Sequence, residues 1–161
     1  MENNKYKILF VCLGNICRSP AAEGIFKGLV KKQNLSDNIT VDSAGTAGYH
    51  SGELPDARMR KHGSFRGYKF DSQARKFSVR DFDNFDIIVV MDDNNYDDVM
   101  RLAPDLDSQK KVHRMVEFSR KFQHDHIPDP YYTGAEGFEL VLNLLEDACK
   151  GLLDEIKKGE L

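Results

Sequence analysis

The chain has 161 residues, with 23 Lys or Arg against 26 Asp or Glu, so its formal net charge is −3. This length suits one domain, and the near balance of charge gives no general attraction to nucleic acid or to a membrane surface. No run approaches the roughly 18 consecutive apolar residues of a membrane span, residues 1–5 lack the pattern of a signal peptide, and three cysteines are an odd number for a disulfide framework. We therefore expect a single domain over residues 1–161 in the reducing cytoplasm.

Apolar patterns along the chain predict alternating strands and helices. Short buried strands are predicted over residues 5–12, 39–44, 86–91 and 112–118. Helices are predicted over residues 22–30, 56–62 and 92–103, and from Ala135 onward. The second of these is expected to stop at Gly63. Cys149 lies on the apolar face of the last helix and is expected to be a core residue. This alternation favours an α/β fold, a three-layer sandwich of about four parallel strands with helices on both faces. Ligands of such folds bind at the carboxyl ends of the strands.

The segment C-L-G-N-I-C-R-S-P at residues 12–20 lies at such a strand end, between the first strand and the first helix. A tight loop there turns backbone N–H groups toward one centre at a helix N-terminus, where an anion is favoured. Gly14 and Asn15 tolerate left-handed backbone, and Pro20 suits the first helical turn. Arg18 can hold two oxygens of a tetrahedral anion. The segment predicts a phosphate-binding loop directly after the first strand.

Cys12, at the base of this loop, is the candidate nucleophile. The helix dipole, the N–H groups and Arg18 favour the thiolate form of a cysteine. A thiolate beneath a bound phosphoryl group is placed for attack on phosphorus, and Ser19 is placed to donate a hydrogen bond to it. A lone cysteine at a strand end is more often a small core residue, but Cys-x5-Arg-Ser between a strand and a helix is a far more specific pattern.

The run V-C-L-G-N-I-C-R-S-P-A-A-E resembles the signature of the low-molecular-weight protein tyrosine phosphatases. The likeness continues in V-D-S-A-G-T at residues 41–46, Y-H at 49–50, M-D at 91–92 and D-P-Y-Y at 129–132. The resemblance implies hydrolysis of phosphotyrosine and small aryl phosphates through a phosphocysteine intermediate, without a metal or another cofactor. Its partners are then phosphotyrosine-containing proteins, and we expect a monomer or weak dimer.

Asp129 is, by this resemblance, the acid that protonates the departing phenolate and then the base that takes a proton from water. The chemistry agrees, because a phosphocysteine mechanism needs both proton transfers. Pro130 restricts Asp129 to extended backbone, which helps to aim its side chain. Without the resemblance, the Asp-Pro pair would predict only a turn.

The resemblance also implies the residues that bind the substrate or support the loop. Tyr49 and Tyr131 are expected to wall a deep slot for a phenyl ring, although exposed tyrosines are also common surface or interface residues. The expected substrate-binding residues are Leu13, Gly14, Asn15, Ile16, Cys17, Ser19, Tyr49, Tyr131 and Tyr132. Asn15, Ser19 and Ser43 are expected to hold the loop through hydrogen bonds. Ser72 stands where relatives often carry a histidine, so part of this support is expected to differ.

Cys17 has two interpretations. The resemblance implies that it closes a disulfide with Cys12 under peroxide and so protects the nucleophile. Alternatively, Cys17 only packs beneath the loop.

Rival functions are less well supported by particular residues. A threonine in the loop would resemble the phosphoarginine-specific branch of the family, and this chain has Ile16 at that position. An arsenate reductase of this type needs further cysteines within residues 80–92, where this chain has none. A phosphotyrosine-binding protein without catalysis would lack Cys12, Arg18 or Asp129.

Two further patterns carry less information. His124 and His126 beside Asp129 are a weak metal-binding pattern, so we expect no metal site. Residues 58–80 hold eight Lys or Arg and one acid, whereas residues 81–107 hold nine Asp and one Arg. The basic segment either borders the mouth of the slot and favours acidic phosphopeptides, or forms a solvated face compensated by the acidic segment.

Overall fold

The computed structural model describes residues 5–161 and is built on one four-stranded sheet. Its strands are β1 (Tyr6–Cys12), β2 (Ile39–Gly45), β3 (Ile87–Val90) and β4 (Val112–Arg114). All pairs are parallel, in the order β2-β1-β3-β4. Residues 1–4, which belong to the segment without a signal-peptide pattern, lie outside the described residues.

Helices cover both faces of the sheet. They are α1 (Arg18–Lys32), α2 (Ala57–Phe65), α3 (Asp81–Asn84), α4 (Asp93–Leu102), α5 (Leu106–Lys110) and α6 (Ala135–Lys157). Ile8 and Phe10 of β1 face the core formed with α1 and α6, whereas Leu9 and Val11 face the core formed with α3 and α4. Side chains that alternate along a strand thus fill two cores, which confirms the predicted three-layer α/β sandwich. No helix within residues 5–161 is long and apolar enough to cross a bilayer.

Two element boundaries were predicted wrongly. The strand predicted over residues 112–118 ends at Arg114, and Met115–Phe118 forms a 3-10 turn, because the Glu117 side chain accepts a hydrogen bond from the Arg114 N–H. The helix expected to stop at Gly63 continues to Phe65. Gly63 is required for space instead, since a Cβ there would lie 2.3 Å from the Phe70 ring.

The strand order decides where a ligand can bind. β2 and β3 lie on opposite sides of β1, so the chain changes direction across the sheet between these strands. In parallel α/β sheets such a reversal leaves a crevice at the carboxyl ends of the two central strands. Here those ends lead into the loop after Cys12 and into Asp92.

Candidate active site

The loop at residues 12–18 is held by backbone hydrogen bonds from the segment after β2. The N–H groups of Thr46 and Ala47 donate to the carbonyls of Cys12 and Leu13, both at 2.9 Å. Asn15 has a φ of 59°, in the left-handed region, where an asparagine is tolerated. The loop therefore curls over the N-terminus of α1 with its shape set mainly by its own and neighbouring backbone.

Cys12 is buried at the base of a cavity of about 200 Å³, and its Sγ lies 3.0 Å from the Ser19 hydroxyl. The cavity lining contains the predicted catalytic and substrate-binding residues, except for Asn15 and Ser19, which are buried behind the loop. His50 also lines the cavity and was not predicted. Its side chain faces Gly14, where a Cβ would come within 3.1 Å of the imidazole.

Arg18 is buried in the wall of the cavity and is held at three points. Its Nη1 donates to Asp92 Oδ2 at 2.6 Å and to the Ile127 carbonyl at 3.0 Å, and its Nη2 lies 3.8 Å from Asp129 Oδ2. Burial opposes the charged guanidinium, but the negative charges of Cys12, Asp92 and Asp129 outweigh it and raise the pKa of Arg18. The cation is therefore fixed in orientation beside the thiol.

Asp92 was not among the predicted site residues, because its position at the start of the helix predicted over residues 92–103 already accounts for an acidic side chain. Its Oδ1 accepts from the Asn95 N–H at 2.8 Å and caps α4, while its Oδ2 holds Arg18. The available signal was its position two residues after the end of β3, since the carboxyl ends of neighbouring parallel strands meet at one edge of the sheet.

Asp129 lies at the rim of the cavity, with 42 % of its side chain exposed. Its Oδ1 accepts from the Tyr131 N–H at 3.1 Å, which leaves Oδ2 directed toward Arg18. This carboxyl is close to the cavity and also open to water. Asp129 is thus placed to exchange protons with a ligand in the cavity and with water.

The polar residues behind the loop form a connected network. Asn15 Nδ2 donates to Ser19 Oγ at 2.7 Å and to Ser43 Oγ at 3.0 Å. Asn15 Oδ1 accepts from the Arg75 N–H at 3.0 Å. Among residues 5–161, Ser72 makes no hydrogen bond to these groups, so support reaches the loop from the backbone of Arg75.

Aromatic side chains form the mouth of the cavity. Tyr131 is half-buried, with its ring 5.2 Å from the Arg58 guanidinium and 5.0 Å from the ring of Tyr132. Tyr49 and Tyr132 are 78 % and 95 % exposed. Tyr131 is therefore the fixed wall, whereas the other two rings are free to adjust to a ligand.

Cys17 is buried, forms no disulfide and directly precedes the first turn of α1. Burial raises the pKa of its thiol, and the charges of Asp56, Cys12 and Asp129 raise it further. Cys17 is consequently held as a thiol beside the candidate nucleophile. A disulfide between the two is not formed in this structure.

The mouth is bordered by charges of both signs. From the basic segment, Arg58 lies against Tyr131 and Arg60 lines a groove next to the cavity. On the other side, Asp92, Asp93 and Asp125 line a groove that shares Asp129 with the cavity.

Other arginines of the basic segment are paired within the fold, such as Arg75 with Asp42 and Asp81, and Arg66 with Glu139 and Glu146. Neither of the two interpretations of the basic segment holds for all of it.

The chain is similar to known proteins over nearly its whole length. The family model described as low molecular weight phosphotyrosine protein phosphatase matches residues 7–160. A crystal structure of a protein tyrosine phosphatase from Entamoeba histolytica has a TM-score of 0.95 at 44 % identity, covering 98 % of this chain and 100 % of that one. Low molecular weight phosphatases of Bacillus subtilis and Homo sapiens are 40 % and 39 % identical, over 94 % and 96 % of this chain and 96 % and 98 % of theirs.

Proposed function

The chain belongs to the low molecular weight phosphotyrosine protein phosphatase family, and we propose that Cys12, Arg18 and Asp129 carry out its hydrolysis of phosphotyrosine. One observation supports this assignment above the others. A buried thiol, a fixed guanidinium and a water-accessible carboxyl converge on one cavity at the N-terminus of α1. These are the groups that transfer of a phosphoryl group to a thiolate requires.

The first step is attack of the Cys12 thiolate on phosphorus. The S–P bond forms as the bond from phosphorus to the phenolic oxygen breaks, and Asp129 as a carboxylic acid gives its proton to that oxygen. Arg18 and the backbone N–H groups of the loop bind the equatorial oxygens, whose charge they stabilise without having to reorganise. The products of this step are a tyrosine side chain, phosphocysteine and the Asp129 carboxylate.

The second step returns the enzyme to its starting state. Asp129 takes a proton from a water molecule as that water attacks phosphorus, and the S–P bond breaks to release phosphate. The departing sulfur becomes a thiolate again, and the Ser19 hydroxyl at 3.0 Å is placed to donate a hydrogen bond to it. Asp129 thus serves as acid and then as base.

Selection of phosphotyrosine follows from the depth of the cavity. Cys12 lies at its base, and the rings of Tyr49 and Tyr131 lie at its mouth. A phenyl ring spans this depth and packs against flat aromatic walls. The short side chain of phosphoserine would leave its phosphorus far from the thiol. Phosphotyrosine-containing proteins and small aryl phosphates are therefore the proposed substrates.

We also infer that residues 1–161 act as one cytoplasmic domain, as a monomer or weak dimer. Both hydrophobic cores lie against the same sheet, which supports a single folding unit. We further infer that Cys17 forms a protective disulfide with Cys12: peroxide oxidises the Cys12 thiolate to a sulfenic acid, the Cys17 sulfur attacks that sulfur, and the S–O bond breaks to release water. The raised pKa of Cys17 predicts that this closure is slow at neutral pH, because the thiolate is the attacking form.

The assignment is tested by measuring phosphate release from matched phosphotyrosine, phosphoserine and phosphoarginine peptides in the presence of a metal chelator. We expect the wild type to hydrolyse the phosphotyrosine peptide and Cys12→Ser to hydrolyse none. Preference for phosphoarginine would keep the mechanism and change the substrate. Turnover that survives in Cys12→Ser, or a folded wild type with none, would refute the thiolate mechanism.

A further inference from the structure

Glu23 is a buried carboxylate behind the loop that the mechanism above does not use. The residue is 4 % exposed, and Ser43 Oγ donates to its Oε1 at 2.6 Å. Lys27 Nζ donates to the other oxygen, Oε2, at 2.5 Å, and the Lys27 side chain is 54 % exposed. A carboxylate is costly to bury unless it is paired and hydrogen-bonded, and these two donors satisfy both oxygens of Glu23.

An ionised Glu23 decides the direction of the hydrogen bonds that reach the loop. A carboxylate can only accept, so the single hydrogen of the Ser43 hydroxyl points to Glu23. Ser43 Oγ then has only lone pairs to offer Asn15, whose Nδ2 donates to it at 3.0 Å. Glu23 thus sets the direction of the Ser43 hydroxyl, and the Asn15 amide is oriented jointly by this hydroxyl and by the Arg75 N–H, which donates to its Oδ1.

The second hydrogen on Asn15 Nδ2 connects these hydrogen bonds to the proposed nucleophile, Cys12, through Ser19. Asn15 Nδ2 also donates to Ser19 Oγ at 2.7 Å, while its Oδ1 is occupied by the Arg75 N–H. Ser19 therefore keeps its own hydrogen for Cys12 Sγ at 3.0 Å, and the competing Ala44 carbonyl lies farther away, at 3.4 Å. A donor directed at sulfur favours the thiolate over the thiol.

We propose that Glu23, held by Lys27, is a positioning residue that directs the Ser19 hydroxyl hydrogen at the Cys12 thiolate. Neither residue lines the cavity, so both act through the network and not on the substrate. The proposal rests on the role of Cys12 given above. It also means that a lysine on the outer surface of α1 influences the ionisation of a thiol buried on the other side of that network.

Glu23→Gln is the most direct test. An amide in this position would turn its oxygen to the Lys27 ammonium and its NH₂ group to Ser43, which reverses the hydrogen bond that Ser43 now donates. We expect the pH profile of Cys12 alkylation by iodoacetamide to move to higher pH by about half to one unit, so that alkylation on the acidic side is about three- to tenfold slower. Mass spectrometry of the modified peptide verifies that the label is on Cys12.

Lys27 supplies a test that does not depend on altering a buried group. Lys27→Ala is expected to move the profile in the same direction by a smaller amount, and Lys27→Arg to restore it. Lys31→Ala on the same helix is the control, because Lys31 is exposed and forms no ion pair within the described residues. Arg18, Cys17 and Asp129, the other titratable groups around Cys12, are unchanged in every variant.

Profiles of Glu23→Gln and Lys27→Ala that coincide with the wild type would overturn the proposal, even if the melting temperature falls. If Glu23→Gln does not fold, Lys27→Ala decides the question alone. Turnover by Cys12→Ser separates the two levels of inference. If that variant is active, the proposed function fails. If it is inactive and the Glu23 and Lys27 variants keep the wild-type profile, only the positioning role fails.

Discussion

Asp92 combines two tasks in one side chain, because each carboxylate oxygen has its own partner. Oδ1 caps α4, and Oδ2 fixes the guanidinium of Arg18. The two tasks can be separated by chemistry. Asparagine is as good a helix cap as aspartate, whereas it cannot form the charged pair with arginine.

Asp92→Asn is therefore expected to lower kcat/KM for an aryl phosphate by at least about tenfold, since hydrogen bonds to charged groups contribute about 1.5–3 kcal/mol. Thermal unfolding should move to a lower temperature, because buried Arg18 loses one of the charges that offset its burial, although the cap of α4 is retained. Asp105→Asn is the matched control, since Asp105 caps α5 through the Ser108 N–H. Equal losses of activity in the two variants would contradict the role given to Asp92.

At this scale the sequence indicated which residues of the loop lie together and did not indicate the pairing of residues distant in the chain. The loop from Cys12 to Ser19 could be interpreted because its functional groups are adjacent in the chain. The pair of Arg18 with Asp92 and the support of Asn15 by Arg75 join residues 74 and 60 positions apart. Nothing in the local pattern shows such pairs until the strand order is known.

At the scale of elements, glycines inside helices mark places where other elements approach closely. Gly151 of α6 faces the end of the 3-10 turn, and a Cβ there would lie 1.8 Å from the Phe118 carbonyl oxygen. Gly28 of α1 has no atom within 4 Å of the corresponding position. The two glycines have the same conformational cost in a helix and differ in what surrounds them.

Gly151→Ala should therefore reduce the free energy of unfolding by at least about 2 kcal/mol, because the backbone of another element must move. Gly28→Ala should increase it by about 0.5–1 kcal/mol, the usual gain in an open helix position. Urea denaturation of both variants checks the pair. A stabilised Gly151→Ala would mean that α6 does not pack closely on this turn.

Helix boundaries show why such contacts escape prediction from periodicity. Gly63 was expected to end α2, since glycine often follows the last helical residue. The helix continues because the residue serves to admit the Phe70 ring. The short helices α3 and α5 were not predicted, since four and five residues are too few for a periodic pattern.

At the scale of the whole molecule, Asp147 joins the last helix to the chain that follows the sheet. Its carboxylate accepts from the backbone N–H groups of Arg120, Lys121 and Phe122 at 3.0–3.1 Å. Burial alone would raise the pKa of Asp147, but these three donors outweigh it and lower the pKa. Ionised Asp147 thus stabilises the docking of α6.

The lowered pKa gives this stabilisation a definite pH dependence. It is complete above the ordinary aspartate pKa of about 3.9 and is lost as the pH falls through the lower value of the folded state. Asp147→Asn should be less stable than the wild type at pH 7, and the difference should shrink in acid. Urea denaturation between pH 7 and pH 2.5 measures it, with exposed Asp154→Asn as control. A difference independent of pH would contradict this account.

The architecture was predictable because alternating apolar strands and amphipathic helices leave few other arrangements. The order of the strands was not predicted, although the two central strands, β1 and β3, are the most apolar and the edge strand β4 has the sequence V-H-R. That order nevertheless brings the ends of β1 and β3 together, and with them Arg18 and Asp92.

Ile127 is bound on both sides of its peptide backbone, two residues before Asp129. Its N–H donates to the Met91 carbonyl at 2.9 Å, and its own carbonyl accepts from Arg18. The segment that carries the proposed acid is thus tied to the residue that follows β3 and to Arg18 before any substrate arrives. Its conformational entropy is lost when the chain folds and not when the substrate binds, so binding energy remains available for the transition state. The fold itself therefore brings the proposed acid, Asp129, and the proposed nucleophile, Cys12, to one cavity.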